Sequence, residues 1–279
     1  MNPNHLEKLH SLHLTMALEV KRICEANNIP YFILAGTLLG AVRHKGFIPW
    51  DDDLDIGMLR VDYDKFVQIA PQQINSSFFL QNWDTEDRFP FPFSKLRVKD
   101  TLMIEKNNVH ALGHKGIFID IFPLDDVPLL VADQRKHRQL NFIINRILLK
   151  KCNYVLEEDS SFTKKIAYSL IKFVSFFIPY SFLKKTYRSI CVRYRNPNAT
   201  AVVNLGGAYS YAKETRQRSW LVSTVQLPFE DTTLSAGVGY IEELVHLYND
   251  YMTPPPENKR YNRHGIVTLD FGSGPEELE

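Results

Sequence analysis

Phe32 to Met58 reads FILAGTLLGAVRHKGFIPWDDDLDIGM, a Gly-Thr turn followed by a basic loop and then by four aspartates within five residues. Its flanks set the reading. Tyr31 to Leu34 is a short apolar run ending at Ala35-Gly36, and Leu54, Ile56 and Met58 alternate with Asp55 and Gly57. The first predicts a buried strand and the second an alternating one. Side chains two apart on a strand share a face, so Asp53 and Asp55 are expected to point together, away from Leu54 and Ile56. Two carboxylates side by side raise each other's pKa unless a cation lies between them. Hard divalent ions such as Mg²⁺ take such oxygen ligands, usually one or two carboxylates plus substrate phosphates. A metal-dependent phosphoryl-transfer site is the chemistry this pattern suits.

Aspartate runs also occur as solvated loops and helix caps. An EF-hand is excluded, because Ile56 stands at the sixth position, where the loop needs glycine, and Asp62 at the twelfth, where it needs glutamate. The cations Arg43, His44 and Lys45 precede the acids, as suits a polyanionic ligand. Gly36 and Thr37 are small enough for the amides of a short helix, Leu38 to Arg43, to face phosphate; a plain tight turn is the alternative. Gly116 to Leu124, GIFIDIFPL, is a second apolar strand interrupted by Asp120. A metal shared with Asp53 and Asp55 would partner that charge; otherwise Asp120 caps a turn before Pro123.

The words LAGTLLGAVRHKGFIPWDDDLDIGM, DYDKF (Asp62 to Phe66), FIDIFPLDDVP (Phe118 to Pro128) and YNDYMTPPP (Tyr248 to Pro256) resemble the LicD family of the nucleotidyltransferase superfamily. The likeness runs in blocks from about Leu34 to Met252. Asn249 stands where the family more often has glycine, and Leu129 to Asn204 carries no matching motif. The family includes bacterial phosphocholine transferases and is similar to fukutin-type enzymes. The resemblance implies an α+β fold: a nucleotidyltransferase-like core with a mixed twisted sheet flanked by helices. It implies a catalytic domain of residues 1–128 and 200–271 and a helical insertion at 129–199 that faces the membrane or the acceptor, while the small and acidic residues 272–279 read as a flexible tail. It further implies two Mg²⁺ ions, with Mn²⁺ as the alternative, on Asp53, Asp55 and Asp120. The activity implied is transfer of phosphocholine from CDP-choline to a sugar hydroxyl of a cell-surface glycan or lipid-linked teichoic acid precursor, with Asp120 accepting the hydroxyl proton. Arg43 and Lys45, with Lys95 and Arg97, would offset charge on the diphosphate. Trp50 would lie over the trimethylammonium group or the base, or anchor the loop in the core. Another nucleotide-activated alcohol or sugar phosphate as donor, and a non-catalytic metal- or glycan-binding role, are the competing readings.

The remaining chain gives context. A net charge of +1 over 279 residues argues against nucleic acid as the main partner. Three widely spaced cysteines, Cys24, Cys152 and Cys191, support neither a disulfide framework nor a zinc site and suit small core residues. The N-terminus shows no secretory signal, which predicts a cytoplasmic protein, placed by a lipid-linked acceptor at the inner face of the cytoplasmic membrane. Helices are predicted over Leu6 to Ala26, over Asp62 to Ala70 with Pro71 as the stop, and over Tyr240 to Tyr251. Phe78 to Gln81 and Lys95 to Val98 read as strands, the latter placing Lys95 and Arg97 on one face, toward a donor diphosphate or toward solvent. Lys164 to Arg195 holds eight lysines and arginines and no acid. Lys172 and Pro179 interrupt an apolar run shorter than the ~20 residues a bilayer span needs, so the segment reads as an interfacial helix contacting the membrane, or as a helical hairpin broken at Pro179. Lys259, Arg260, Arg263 and His264 form a basic cluster that reads as a solvated end or as a closure over phosphate.

Overall fold

The computed structural model describes residues 3–156, 162–261, 264–272 and 275–276. The strands in chain order are β1 (Phe32–Ile33), β2 (Asp55–Leu59), β3 (Phe78–Gln81), β4 (Ser94–Val98), β5 (Leu102–Glu105), β6 (Phe118–Asp126), β7 (Ala201–Asn204), β8 (Thr215–Gln217), β9 (Thr224–Phe229), β10 (Thr232–Gly237), β11 (Ile266–Asp270) and β12 (Pro275–Glu276). The helices are α1 (Pro3–Ala26), α2 (Ala35–His44), α3 (Arg60–Gln73), α4 (Val131–Lys151), α5 (Phe162–Phe176), α6 (Tyr180–Val192), α7 (Tyr211–Glu214) and α8 (Tyr240–Tyr248). The fold is mixed α+β, and α4 to α6 fall between β6 and β7.

The main sheet runs β1-β2-β6-β4-β3, and β6 also pairs β7, which pairs β8. β2 and β6 are parallel, and the other pairings in this sheet are antiparallel. Parallel neighbours need a crossover, and α3 lies in the segment that makes it. One face of the sheet, with Leu54, Ile56, Met58, Leu96, Ile119 and Ile121 fully buried, belongs to the same core as Leu9, Met16, Val20 and Ile23 of α1 and Phe66 of α3. Those α1 residues recur at spacings of seven, four and three, so one stripe of the helix covers the sheet. On the other face Phe32, Leu34, Phe93, Phe122, Leu124 and Val202 form a second cluster. Gly57 is paired with Phe32, and a Cβ there would stand 2.6 Å from the Leu34 side chain. Glycine is therefore what lets β1 and β2 pack at that point.

Several expected boundaries move; α2 begins at Ala35 in place of Leu38, so Gly36 and Thr37 lie in its first turn. Pro71 lies inside α3, which continues to Gln73, because Ile74 N–H still donates to Ala70 O. α8 stops at Tyr248, three residues early, where Asn249 takes φ 57°. That is a left-handed conformation glycine adopts freely, which accounts for asparagine at this position. The alternating strand begins at Asp55, so Asp53 lies in the preceding loop. All three cysteines are buried and unpaired. The expected tail at 272–279 lies mostly outside the described residues, as does Arg263.

A fully buried guanidinium ties β8 to α8: Arg216 Nε donates to Glu243 Oε1 at 2.6 Å, and Nη1 lies 3.4 Å from Glu214 Oε2. Removing one partner of such a group strands the others' charge in the core. Arg216→Ala should cost about 3–5 kcal/mol in urea unfolding, and a loss below about 1 kcal/mol would contradict this account.

Candidate active site

The acids are assembled by strand register. Asp55, the first residue of β2, pairs with Asp120 of β6, and Asp120 pairs in turn with Lys95 of β4. Lys95 pairs with Gln81 of β3, so four adjacent strands carry Asp55, Asp120, Lys95 and Gln81 in one row. Neighbours in a row share a face of the sheet. Lys95 Nζ donates to Asp120 Oδ1 at 2.6 Å and sits 3.5 Å from the centre of the Phe118 ring. Backbone bonds hold the row: Asp120 N–H donates to Leu54 O at 3.0 Å, and Leu34 N–H donates to Asp55 O at 3.0 Å.

The start of α2, which contains Gly36 and Thr37, meets this row. Ala35 takes φ 45°, and Asp55 N–H donates to Thr37 Oγ1 at 2.9 Å. A Cβ on Gly36 would stand 2.6 Å from Asp51 Oδ2, so glycine is what admits that carboxylate to the helix start, with Asp53 Oδ1 4.0 Å away. Helix N-termini favour negative charge. Asp52 is buried: its Oδ1 lies 2.6 Å from His264 Nδ1, and its Oδ2 has no hydrogen-bond partner. His264 Nε2 reaches to 3.5 Å from Asp53 Oδ2.

The charges in this cluster perturb one another. Burial raises Asp53 most; the His264 cation pulls it down while Asp52 and Asp120 push it up, leaving it at about 6. Burial, then the charges of Asp53 and Asp120, hold Asp55 well above the usual carboxylate range. Burial lowers Lys95 and Arg97. For His264 burial works downward, but the Asp52 hydrogen bond and the charges of Asp53 and Asp52 lift it to about 10.

The other expected residues are placed as follows. Arg97 is buried on the same face as Lys95; its Nε donates to Gln81 Oε1 and its Nη1 to Gly116 O. Arg43, in the last turn of α2, donates from Nη1 to Tyr251 O at 3.0 Å and lies within electrostatic reach of Asp51 and Tyr248. Lys45 caps the C-terminal end of α2, exposed, with Nζ on Val42 O. The length of the helix separates it from Thr37. Trp50 lies under the Arg260 guanidinium, 5.4 Å from the ring centre, and lines a groove of 830 Å³ with Leu6, His10, Phe47 and Tyr261. Asp52 and Tyr248 were not expected in the site, and His264 was expected only within a basic cluster that is a solvated end or closes over phosphate. Tyr248, its hydroxyl 3.2 Å from that of Tyr209, is raised first by burial and then by Tyr209, with smaller contributions from Asp51 and Asp55. Period two in Asp51-Asp52-Asp53 was the signal available for Asp52; for His264 there was only its place in a basic cluster.

Three carboxylates offer hard oxygen donors, and the raised Asp53 and Asp55 show charge that the protein leaves partly uncompensated. That donor chemistry fits a divalent cation. Among the described residues no three acids, histidines or cysteines already converge as a metal cage, and Lys95 is the counter-ion that holds Asp120.

The fold and this row define an α+β protein whose sheet presents clustered carboxylates beside a buried lysine. The chain matches, over residues 28–143, the model of the LicD/FKTN/FKRP nucleotidyltransferase domain. It is 27% identical over 248 residues to the lipopolysaccharide cholinephosphotransferase LicD of Haemophilus influenzae, covering 87% of this chain and 89% of that protein. An uncharacterized Rickettsia typhi protein, RT0683, is 52% identical over 66 residues, 24% of this chain and 21% of that one. The human ribitol 5-phosphate transferase FKRP is 37% identical over 54 residues, 19% of this chain and 11% of that protein.

Asp53 and His264 both bind a proton more tightly folded than unfolded, so each adds stability at low pH that is lost as pH rises through about 6 and about 10 respectively. Buried His13 and His137, held down to about 3 and about 4, act in the opposite direction over this range, so the test is a comparison: the melting temperature of the metal-free protein at about pH 5.5, relative to that at about pH 7.5, should be lower in Asp53→Asn than in the native chain. An unchanged difference in the variant would remove Asp53 as a source.

Proposed function

We propose that this protein transfers phosphocholine from CDP-choline to a sugar hydroxyl of a cell-surface glycan or lipid-linked teichoic acid precursor. The observation that carries a phosphoryl-transfer reading is the row Asp55-Asp120-Lys95, with Asp53 beside it, at the start of α2. The donor comes from likeness to the cholinephosphotransferase, which extends over most of both chains. Mg²⁺ would be held by Asp53, Asp55 and Asp120, and when bound would draw charge from the attacking and leaving oxygens of an in-line displacement.

The protein's own groups supply the rest. The acceptor oxygen forms a bond to the phosphorus of the phosphocholine group as the bond to the CMP oxygen breaks, and Asp120 takes the acceptor's proton. Lys95, released from Asp120, and Arg43 offset charge on the departing CMP. Arg97, fixed by Gln81 and Gly116 O, steadies the Lys95 side of the site. Gly36 leaves room at the helix start for the Asp51 carboxylate, and Thr37 holds the β2 backbone in place. Trp50 offers a ring to the quaternary ammonium or the base, a position that Arg260 fills here. Lys45, at the far end of α2, is outside this reading. A lipid-linked acceptor would place the reaction at the inner face of the cytoplasmic membrane. The match to a ribitol 5-phosphate transferase supports a second reading with the same chemistry and a different activated alcohol as donor.

The test is CMP release from CDP-choline by the purified protein with Mg²⁺ and a membrane-derived glycan acceptor, with EDTA in a parallel arm. Release that needs both metal and acceptor is expected, and Asp53→Asn or Asp55→Asn should lower it at least about a hundredfold with the circular dichroism spectrum unchanged. Full activity in a folded Asp53→Asn/Asp55→Asn double variant would refute the acid assignment, and release only from another nucleotide donor would favour the second reading.

A further inference from the structure

On α5, Ile166, Leu170 and Phe173 recur at four and three residues and so share one face, and Phe176 and Phe177 extend it at the helix end. In the core these would be buried. Here Leu170 is 61%, Phe173 64% and Phe176 79% exposed, and Ile166 and Phe177 are exposed as well. Single exposed apolar residues are ordinary, but a contiguous helical stripe of this size marks an interaction surface.

Charge decides what covers it. From Phe162 to Arg195 the chain has no acid. Lys172 is exposed on α5, and Lys150 of α4 is lowered first by burial and then by the charges of Lys172 and Arg146. The three cations therefore crowd one another, and among the described residues no carboxylate pairs with any of them. Glu157, Glu158 and Asp159, the nearest acids along the chain, lie outside the described residues. Lys150 and Arg146 instead lie over the Tyr168 and Phe142 rings, Lys150 thus joining the cation cluster to α5. A two-fold contact between copies would lay this cation cluster against itself. No helix among the described residues is long and apolar enough to cross a membrane.

We propose that α5 and the turn at Phe176-Phe177 dock onto an anionic lipid bilayer, the phenylalanines entering the acyl boundary and Lys150, Lys172 and Arg146 facing the headgroups. The surface lies apart from the acid row and does not depend on which donor the enzyme uses. A helix held this way keeps the protein on a lipid surface without a transmembrane anchor.

The experiment is cosedimentation of the full chain with vesicles of phosphatidylcholine alone and of phosphatidylcholine mixed with phosphatidylglycerol, at low and high salt, with the oligomeric state measured in parallel. Binding to the anionic vesicles that weakens with salt is expected. Leu170→Ser/Phe173→Ser should lower partitioning at least about tenfold, and Lys172→Glu should weaken it while leaving circular dichroism and solution CMP release unchanged. No binding to anionic vesicles, binding that both variants retain, or a concentration-dependent dimer lost in those variants would overturn the proposal. Failure of CMP release in every variant and in the parent would bear on the donor alone, since vesicle binding is read without substrate.

Discussion

The parallel register of β2 on β6 is the constraint from which the site follows. It sets Asp55 opposite Asp120, and the antiparallel register of β4 on β6 then sets Lys95 against Asp120. Like charges on neighbouring strands repel, so a sheet with this register needs a counter-charge on the same face. Lys95 provides one, at a cost of burial that lowers its own affinity for the proton. The site is thus a cluster held together by packing behind it and by cations in front of it. Burying its charge is worthwhile only for chemistry that uses it, the usual trade between stability and function.

The surroundings divide the labour between two faces. Leu54, Ile56, Ile119 and Ile121 seal one face of the same strands against α1 and α3, which fixes the backbone from which the acids project. The opposite face meets the acids, the start of α2 and the C-terminal part of the chain, from which His264 and Tyr248 enter. A backbone fixed on one side and a charged cleft on the other is the arrangement in which small displacements of Lys95 or His264 change the electrostatics without disturbing the core.

Much of this could be read from residue order. Alternation in Leu54-Asp55-Ile56 identified the strand and the face, and a lone aspartate in Phe118-Ile119-Asp120-Ile121 identified its partner, because an apolar strand makes an isolated charge conspicuous. The pairing of Lys95 with Asp120 was not readable, since it depends on which strand lies beside β6, and β4 reaches that place only through tertiary packing. The same holds for His264, which follows Asp52 and Asp53 by more than two hundred residues in the chain. Lys45 shows the converse. It lies beside the acid run in sequence, but α2 and its left-handed cap carry it to the far end of the helix. In the α4 to α6 segment, helix and break at Pro179 were readable, whereas the exposure of the Leu170 and Phe173 face required knowing what failed to pack on it.

The central claim is that the cluster of Asp53, Asp55 and Asp120 holds uncompensated negative charge that a divalent cation satisfies. Thermal unfolding at neutral pH with Mg²⁺ against EDTA tests it most directly, comparing the native chain with Asp55→Asn. The account predicts that Mg²⁺ raises the melting temperature of the native chain and leaves that of the variant unchanged. Equal shifts in both proteins, or no shift in the native chain even with a nucleotide diphosphate present to complete the coordination, would contradict it.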